Sequence, residues 1–485
     1  MGRNTDRKAE RDMTQDLAQQ SKNIGAGRHP YDYYWRAGDE LRPAPPRLRF
    51  LDHWTYARRN QLVPWIDFQE RPRETPLVTL LLDHHWQGDE RMDAVVARFR
   101  ETGMAQGRKL LEQALERGIG SLDDPPQELV ALFEELDNPP PWHDPAEVER
   151  GRQLWLDTSL VGKLGMAIGD VFGTFVGDEV AYATGATGRF MTDFGRRGLE
   201  TNTWFLHITA KGGLARSGIG FKDTVRLRLM HAQVRAGLRR SWGDELEAPA
   251  SENTAERPHA GFARHGNPIS AAMVMIAATT FGLQSLLIDR QHGRKRTWAD
   301  LDATMAYWSY IAHLLGVPDE IIPRNAAQGI EIMDYGVAHA GGPSEWTDVQ
   351  IGAAVNGSGW RGRVKRALVT PFLGVMAYYG GPDIVRAMVR GTDMRAARFE
   401  PWILPYRVFA HADVGLRRAL DRLPGAARRA AAREDDPFWR LAVLVGKAFA
   451  RLEGVRVASY DHHNATAGIA LGEAVPGVGR CPMGR

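Results

Sequence analysis

The chain has 485 residues, 43% hydrophobic and 25% charged, which is ordinary globular usage with room for a large core; one elaborated domain and two domains both remain open. A formal net charge of +3 gives no global case for nucleic acid or for a strongly anionic surface. A single cysteine, Cys481, excludes an intramolecular disulfide framework and a cysteine-based zinc cluster.

Residues 1–50 read as an extended arm ending in Arg42-Pro-Ala-Pro-Pro-Arg47. Residues 1–30 hold no apolar stretch after their basic start, so the sequence as given reads as cytoplasmic, or as secreted if a leader has been removed. Apolar spacing predicts helices at 89–117, 126–136 and 145–165. Glycines punctuate 162–188, which suggests short helices and turns packed close to something bulky. A helix over 189–212 closes at Gly212-Gly213, and Gly218 to Asp223 forms a turn in which Asp223 would cap the next helix. Residues 241–265 are polar and read as a loop.

The longest uncharged stretch, 266–288, has the length of a bilayer span. It also carries Asn267, Ser270, Thr279, Thr280, Gln284 and Ser285. The favoured reading is therefore a buried central helix, with Asn267-Pro268 at its start, and not a transmembrane segment. Helices follow at 298–316, 324–335, 365–390, 405–423 and 436–453. Seven arginines from Arg417 to Arg440 read as a solvated helix face, with an anionic partner or membrane surface as the minority reading. Alternating strands and internal repeats are scarce, so the predicted class is all-α. The expected division is a 1–50 arm, a 51–365 core and a 366–485 helical extension and tail.

The chemistry concentrates in Thr224-Val-Arg-Leu-Arg-Leu-Met-His-Ala-Gln-Val-Arg235. Leu227, Met230, His231, Val234 and Leu238 share one helical face, and Arg228 and Arg235 lie about one turn to either side of His231. A lone histidine on an apolar face is more often a satisfied core group than a ligand. The other reading is an axial ligand of a large anionic group such as haem, with the guanidiniums pairing its propionates.

Arg226-Leu-Arg-Leu-Met-His-Ala-Gln-Val-Arg235 resembles the signature helix of the latex clearing proteins (rubber oxygenases) and the wider MpaB-type haem oxygenase family. Arg197-Gly-Leu-Glu-Thr201, whose arginine lies 34 residues before His231, resembles the family's Arg-x-x-x-Thr element. Trp308 to Pro323, with Leu315-Gly-Val-Pro318, is similar to a downstream family segment. The resemblance spans roughly 150–340. It implies a globin-like helical core with extra surrounding helices, and haem b with His231 as the iron ligand. It places Arg197 and Thr201 on the distal side, with a distal carboxylate as base. Glu179 is the nearest candidate for that base, and Asp178 and Glu200 compete with it. Glu200 also stands where some members carry a lysine.

The resemblance implies dioxygen-dependent cleavage of carbon–carbon double bonds in polyisoprene or a related isoprenoid, giving aldehyde and ketone ends. The alternatives are an MpaB-type oxygenase of a small prenylated molecule or lipid, and a non-catalytic haem or oxygen-binding protein. The tryptophans and the 266–288 helix are expected to line an apolar channel. The adjacent pairs His84-His85 and His462-His463 make poor joint metal ligands, because neighbouring residues point apart on a helix. No His-Glu-x-x-His, phosphate-binding loop or Gly-x-Ser-x-Gly element occurs.

Overall fold

A computed structural model describes residues 41–63, 65–177, 180–181, 183–184, 194–242, 266–356, 362–425, 434 and 436–452. Most of these residues are helical, and the all-α expectation holds. The helices in chain order are α1 (His53–Leu62), α2 (Pro76–Asp83), α3 (Glu90–Thr102), α4 (Met104–Arg117), α5 (Gln127–Asp137) and α6 (Pro145–Leu156). Next come α7 (Leu160–Phe175), α8 (Phe194–Thr209), α9 (Ile219–Trp242), α10 (Ala271–Gln291), α11 (Trp298–Leu314) and α12 (Ala326–Ala338). The last are α13 (Glu345–Asn356), α14 (Gly362–Gly380), α15 (Pro382–Val389), α16 (Ile403–Asp421) and α17 (Pro437–Leu452). Among the described residues the strands are β1 (Arg49–Phe50) and β2 (His339–Ala340), which pair antiparallel as Arg49 with Ala340 and Phe50 with His339.

α10 is the central element. Ser270 caps it, accepting a hydrogen bond from the Met273 amide at 3.2 Å. It is long and apolar enough to cross a membrane, yet 67% of its most apolar window is buried, against α7, α11 and α12 among others. A helix apolar on most of its faces satisfies them by packing inside other helices.

Several boundaries differ from the expectation for local reasons. The 89–117 helix breaks at Gly103, whose φ of +110° ends α3 before α4 begins. The 145–165 helix breaks at Asp157 to Ser159. There Arg294 takes Asp157, and Ser159 caps α7, its hydroxyl accepting from the Gly162 amide at 2.9 Å. α1, α2 and α13 were not expected. In α1 the apolar rhythm is masked because Arg58 and Gln61 face inward; Arg58 is fully buried, with Nε 2.6 Å from Asp334 Oδ1. Of the expected arm, residues 1–40 lie outside the described residues. The rest is tied down through Arg42 on Asp83 and through Trp86 Nε1, which donates to the Pro43 carbonyl at 2.7 Å.

In the glycine-rich region, residues 162–175 belong to one helix, α7, while 178, 179, 182 and 185–188 lie outside the described residues. Gly162, Gly165 and Gly169 let α7 lie close to its neighbours. A Cβ at Gly162 would fall 2.6 Å from the Ser285 carbonyl of α10, and one at Gly169 would fall 2.4 Å from Gln284 Oε1. At Gly173 nothing lies within 4 Å, so the same stripe that closes on α10 at one end leaves space at the other.

Two packed clusters form the core. The larger joins α3 to α6 with α8 to α12 and reaches Trp439 of α17; the second joins α7 to α14, α15 and α16. The second cluster runs through residue 365, where the core was expected to end. α16 buries only Tyr406, Ala410 and Val414 and leaves Leu404, Val408, Leu416 and Leu420 exposed. In the basic stretch Arg418, Arg422 and Arg440 are exposed, whereas Arg428, Arg429 and Arg433 lie outside the described residues.

Gly162→Ala should destabilise the protein by about 1–3 kcal/mol through overpacking. Gly173→Ala should cost nothing, or gain up to about 1 kcal/mol from helix propensity. Denaturant midpoints compare the two, and equal costs would remove the role given to the Gly162 contact.

Candidate functional site

The site helices are α8 and α9, joined by residues 210–218 and packed antiparallel. Trp204 Nε1 donates to Thr224 Oγ1 at 3.0 Å, and His207 Nδ1 lies 2.5 Å from Asp223 Oδ2. Asp223 is therefore not the expected N-cap. α9 begins at Ile219, which places Asp223 inside the helix, where it holds His207 and Arg226. Arg197 lies seven residues before Trp204, and His231 lies seven after Thr224. Seven residues are about two turns, or about 10.5 Å, and return to nearly the same face. The antiparallel register thus carries Arg197 and His231 to the same level of the helix pair. Thr201, one turn along, is half-buried beside the buried Glu200, and His231 is half-buried on α9. Glu179 and Asp178 lie outside the described residues, as does the Arg197 side chain.

The arginines of the signature helix do something other than expected. Arg228 is buried and bidentate on Asp89, with Nε 2.6 Å from Oδ2 and Nη2 2.8 Å from Oδ1, while Nη1 is 2.7 Å from Glu135 Oε1. Burial opposes its charge, but Asp89 and Glu135 outweigh that and hold its pKa above the usual arginine range. Arg235 pairs with Asp93 at 2.5 Å and donates to the Ile269 carbonyl at 2.8 Å. Arg226 pairs with Glu112 at 2.6 Å. Carboxylates of α3, α5 and the turn before α3 thus pair with the guanidiniums of Arg228 and Arg235, contacts that spacing along the helix did not predict. Asp89 also caps α3, accepting from the Met92 amide at 3.2 Å.

The downstream Leu315-Gly-Val-Pro318 segment meets this ion pair. Gly316 has φ +83°, and a Cβ there would fall 2.2 Å from Asp89 Oδ2 and 2.5 Å from Arg228 Nε. Both the backbone conformation and the space demand glycine. Two motifs far apart in sequence thus converge on one buried charge cluster.

Both histidines of the His84-His85 pair are buried. His84 Nδ1 lies 2.7 Å from the Leu80 carbonyl, and its Nε2 lies 3.2 Å from Glu320. His85 is pushed down to about 3 by burial, with the neighbouring His84 and His339 adding to the effect. His462 and His463 lie outside the described residues.

A mostly apolar cavity of about 180 Å³ opens between α1, α7, α10, α12 and α14. Trp54, Phe172, Met273, Ile276, Phe281 and Val337 line it, together with Gly177 and Val180. α10 lines this space as expected, but Trp54 is the tryptophan among its lining residues. Trp155, Trp204, Trp308 and Trp439 instead form a stacked core around Phe205 of α8, with Phe205 and Trp439 rings 4.5 Å apart. Phe281 belongs to both regions. It lines the cavity and meets Phe205 edge-on at 5.3 Å, so one aromatic layer separates the cavity from α8. The contact of α17 with α8 was missed from sequence, because it leaves no local periodic signal. Neither His231 nor Thr201 is among the cavity's lining residues.

An all-α chain with a histidine helix braced in this way defines a class that comparison with known proteins makes specific. The sequence profile of the family described as "ER-bound oxygenase mpaB/B'/Rubber oxygenase, catalytic domain" matches residues 158–414, more than half of the chain. The chain belongs to that family, and it is an oxygenase. The rubber oxygenase of Streptomyces sp. (strain K30) is 26% identical over 317 residues, covering 61% of this chain and 69% of that protein. A solved structure of latex clearing protein in the closed state superposes with a TM-score of 0.46 and 22% identity, over 75% of this chain and 91% of that one.

Arg228→Met would leave the buried Asp89 without its bidentate partner and should cost about 3–5 kcal/mol of apoprotein stability. The check is a denaturant midpoint measured without cofactor. An unchanged apoprotein midpoint with weakened haem binding would return this arginine to a propionate role.

Proposed function

We propose that the chain is a haem b-dependent dioxygenase that cleaves a carbon–carbon double bond of an isoprenoid to aldehyde and ketone products. The observation that carries this reading is the register of α8 on α9, which brings the levels of Arg197 and His231 together. The donor set fits the cofactor. His231, half-buried on α9, offers the one imidazole that haem would need from the chain. When bound, the haem would supply the iron that activates dioxygen.

The chain's own residues divide the remaining work. His231 would hold the haem iron, and the ion pairs of Arg228 and Arg235 fix the helix that carries it. Arg197 and Thr201, four residues apart, share a helix face and orient the distal side. Glu179 takes the allylic proton. The mostly apolar cavity would receive the alkene. Its modest volume favours a small prenylated molecule, with polyisoprene as the second reading. The non-catalytic alternative is set aside because the family is one of oxygenases.

The purified protein should show a Soret band and a b-type pyridine haemochrome, and His231→Ala should abolish haem retention. Full haem occupancy in that variant would sink the ligand assignment. Arg197→Ala and Glu179→Gln should keep the haem spectrum and lose 10²-fold or more in oxygen uptake with an alkene, on the order of one acid–base or electrostatic contribution. Undiminished turnover would remove the residue from the mechanism.

A further inference from the structure

The cavity beside α10 is not uniformly apolar. Gln284 lines it, is only 3% exposed, and its Oε1 is buried without a hydrogen-bond partner. Its Nε2 donates to Gln61 Oε1 at 3.0 Å, and Gln61 lines the same space. Gly169 makes room for this amide, since a Cβ there would fall 2.4 Å from Oε1. Thr280, one turn before Gln284, is committed to its own helix, with Oγ1 donating to the Ile276 carbonyl at 2.8 Å.

A buried carbonyl oxygen without a donor costs free energy that a bound donor recovers. A hydrocarbon leaves that cost in place, whereas a hydroxyl group removes it. If both amides are turned end for end, Gln284 presents Nε2 instead, and a hydroxyl, which also accepts, satisfies that arrangement equally. No arginine or lysine is among the described residues lining the cavity, so an anionic diphosphate head finds no counter-charge there. The volume sets the scale. A cavity of about 150 Å³ accommodates benzene, so about 180 Å³ takes roughly one or two isoprene units.

We propose that this cavity binds the hydroxyl-bearing end of an isoprenoid alcohol, with the side-chain amide of Gln284 as its polar anchor. For its chemical consequence the inference rests on the oxygenase reading above; for binding it stands alone. Gln284 is a specificity-determining residue, and hydroxylated isoprenoids are the substrate class it selects over hydrocarbons of the same skeleton.

The test compares geraniol, its hydrocarbon counterpart 2,6-dimethylocta-2,6-diene, and geranyl diphosphate on the full-length protein. Binding is followed by calorimetry and by quenching of Trp54, which lines the cavity. The alcohol should bind about tenfold more tightly than the hydrocarbon, as one buried hydrogen bond implies, and the diphosphate should bind more weakly than the alcohol. Gln284→Met should abolish the alcohol preference while keeping hydrocarbon binding. Gly169→Ala, whose added methyl presses on the same amide, should reduce the preference independently. Equal binding of alcohol and hydrocarbon, tightest binding of the diphosphate, or a preference that survives in both variants would overturn the proposal. An alcohol preference in a protein that takes up no haem or oxygen would sink the oxygenase reading and leave this site standing. Oxygen uptake with no alcohol preference would do the reverse.

Discussion

The structure depends most on the buried pairing of Arg228 with Asp89 and Glu135. A guanidinium removed from water is tolerated only where carboxylates meet it in good geometry, so the pair is a strict constraint on position. It joins α9 to the capped start of α3 and to α5, and it leaves no volume for a side chain at Gly316. Arg235 on Asp93 repeats the constraint two turns further along. With Trp204–Thr224 and His207–Asp223 joining α8, the helix that carries His231 is braced from two sides. A ligand that must hold a fixed orientation needs such support, and here ion pairs provide it where contact with the cofactor was expected.

Backbone approach, more than side-chain bulk, shapes the space beside this helix pair. The glycines of α7 let it close on α10 at one end, where a carbonyl and an amide fill the positions that Cβ atoms would occupy. At Gly173 the same stripe faces nothing, and the cavity begins. Phe281 then serves two surfaces, forming a wall of the cavity and an edge of the aromatic stack that holds α8. A change at this residue is felt on both sides, because close-packed interiors transmit strain.

Charged and polar residues facing inward hide one helix from the local pattern. α1 carries Arg58 and Gln61 toward the core, where Asp334 and Gln284 meet them. Helical periodicity counts apolar side chains, so a helix whose inward face is partly polar is hidden from it. The same blindness covers the signature arginines. Spacing places them near His231, but their partners lie 139 and 142 residues away. Nothing local distinguishes a guanidinium facing a cofactor from one facing a carboxylate.

The sequence by itself determined the all-α class, the positions of the long amphipathic helices, the buried character of α10 and the placing of His231 on an apolar face. Each of these follows from periodicity along a few turns of helix. The 34-residue interval between Arg197 and His231 was also legible, as a match to the family's motifs. Only the tertiary structure decided that Arg228 and Arg235 are braces, that Asp223 holds His207, that α17 stacks on α8 and that α7 opens a cavity with Gln284 in its wall. Those features are contacts between segments distant along the chain. They are set by which helices pack together and how closely their backbones approach, and no local pattern encodes either.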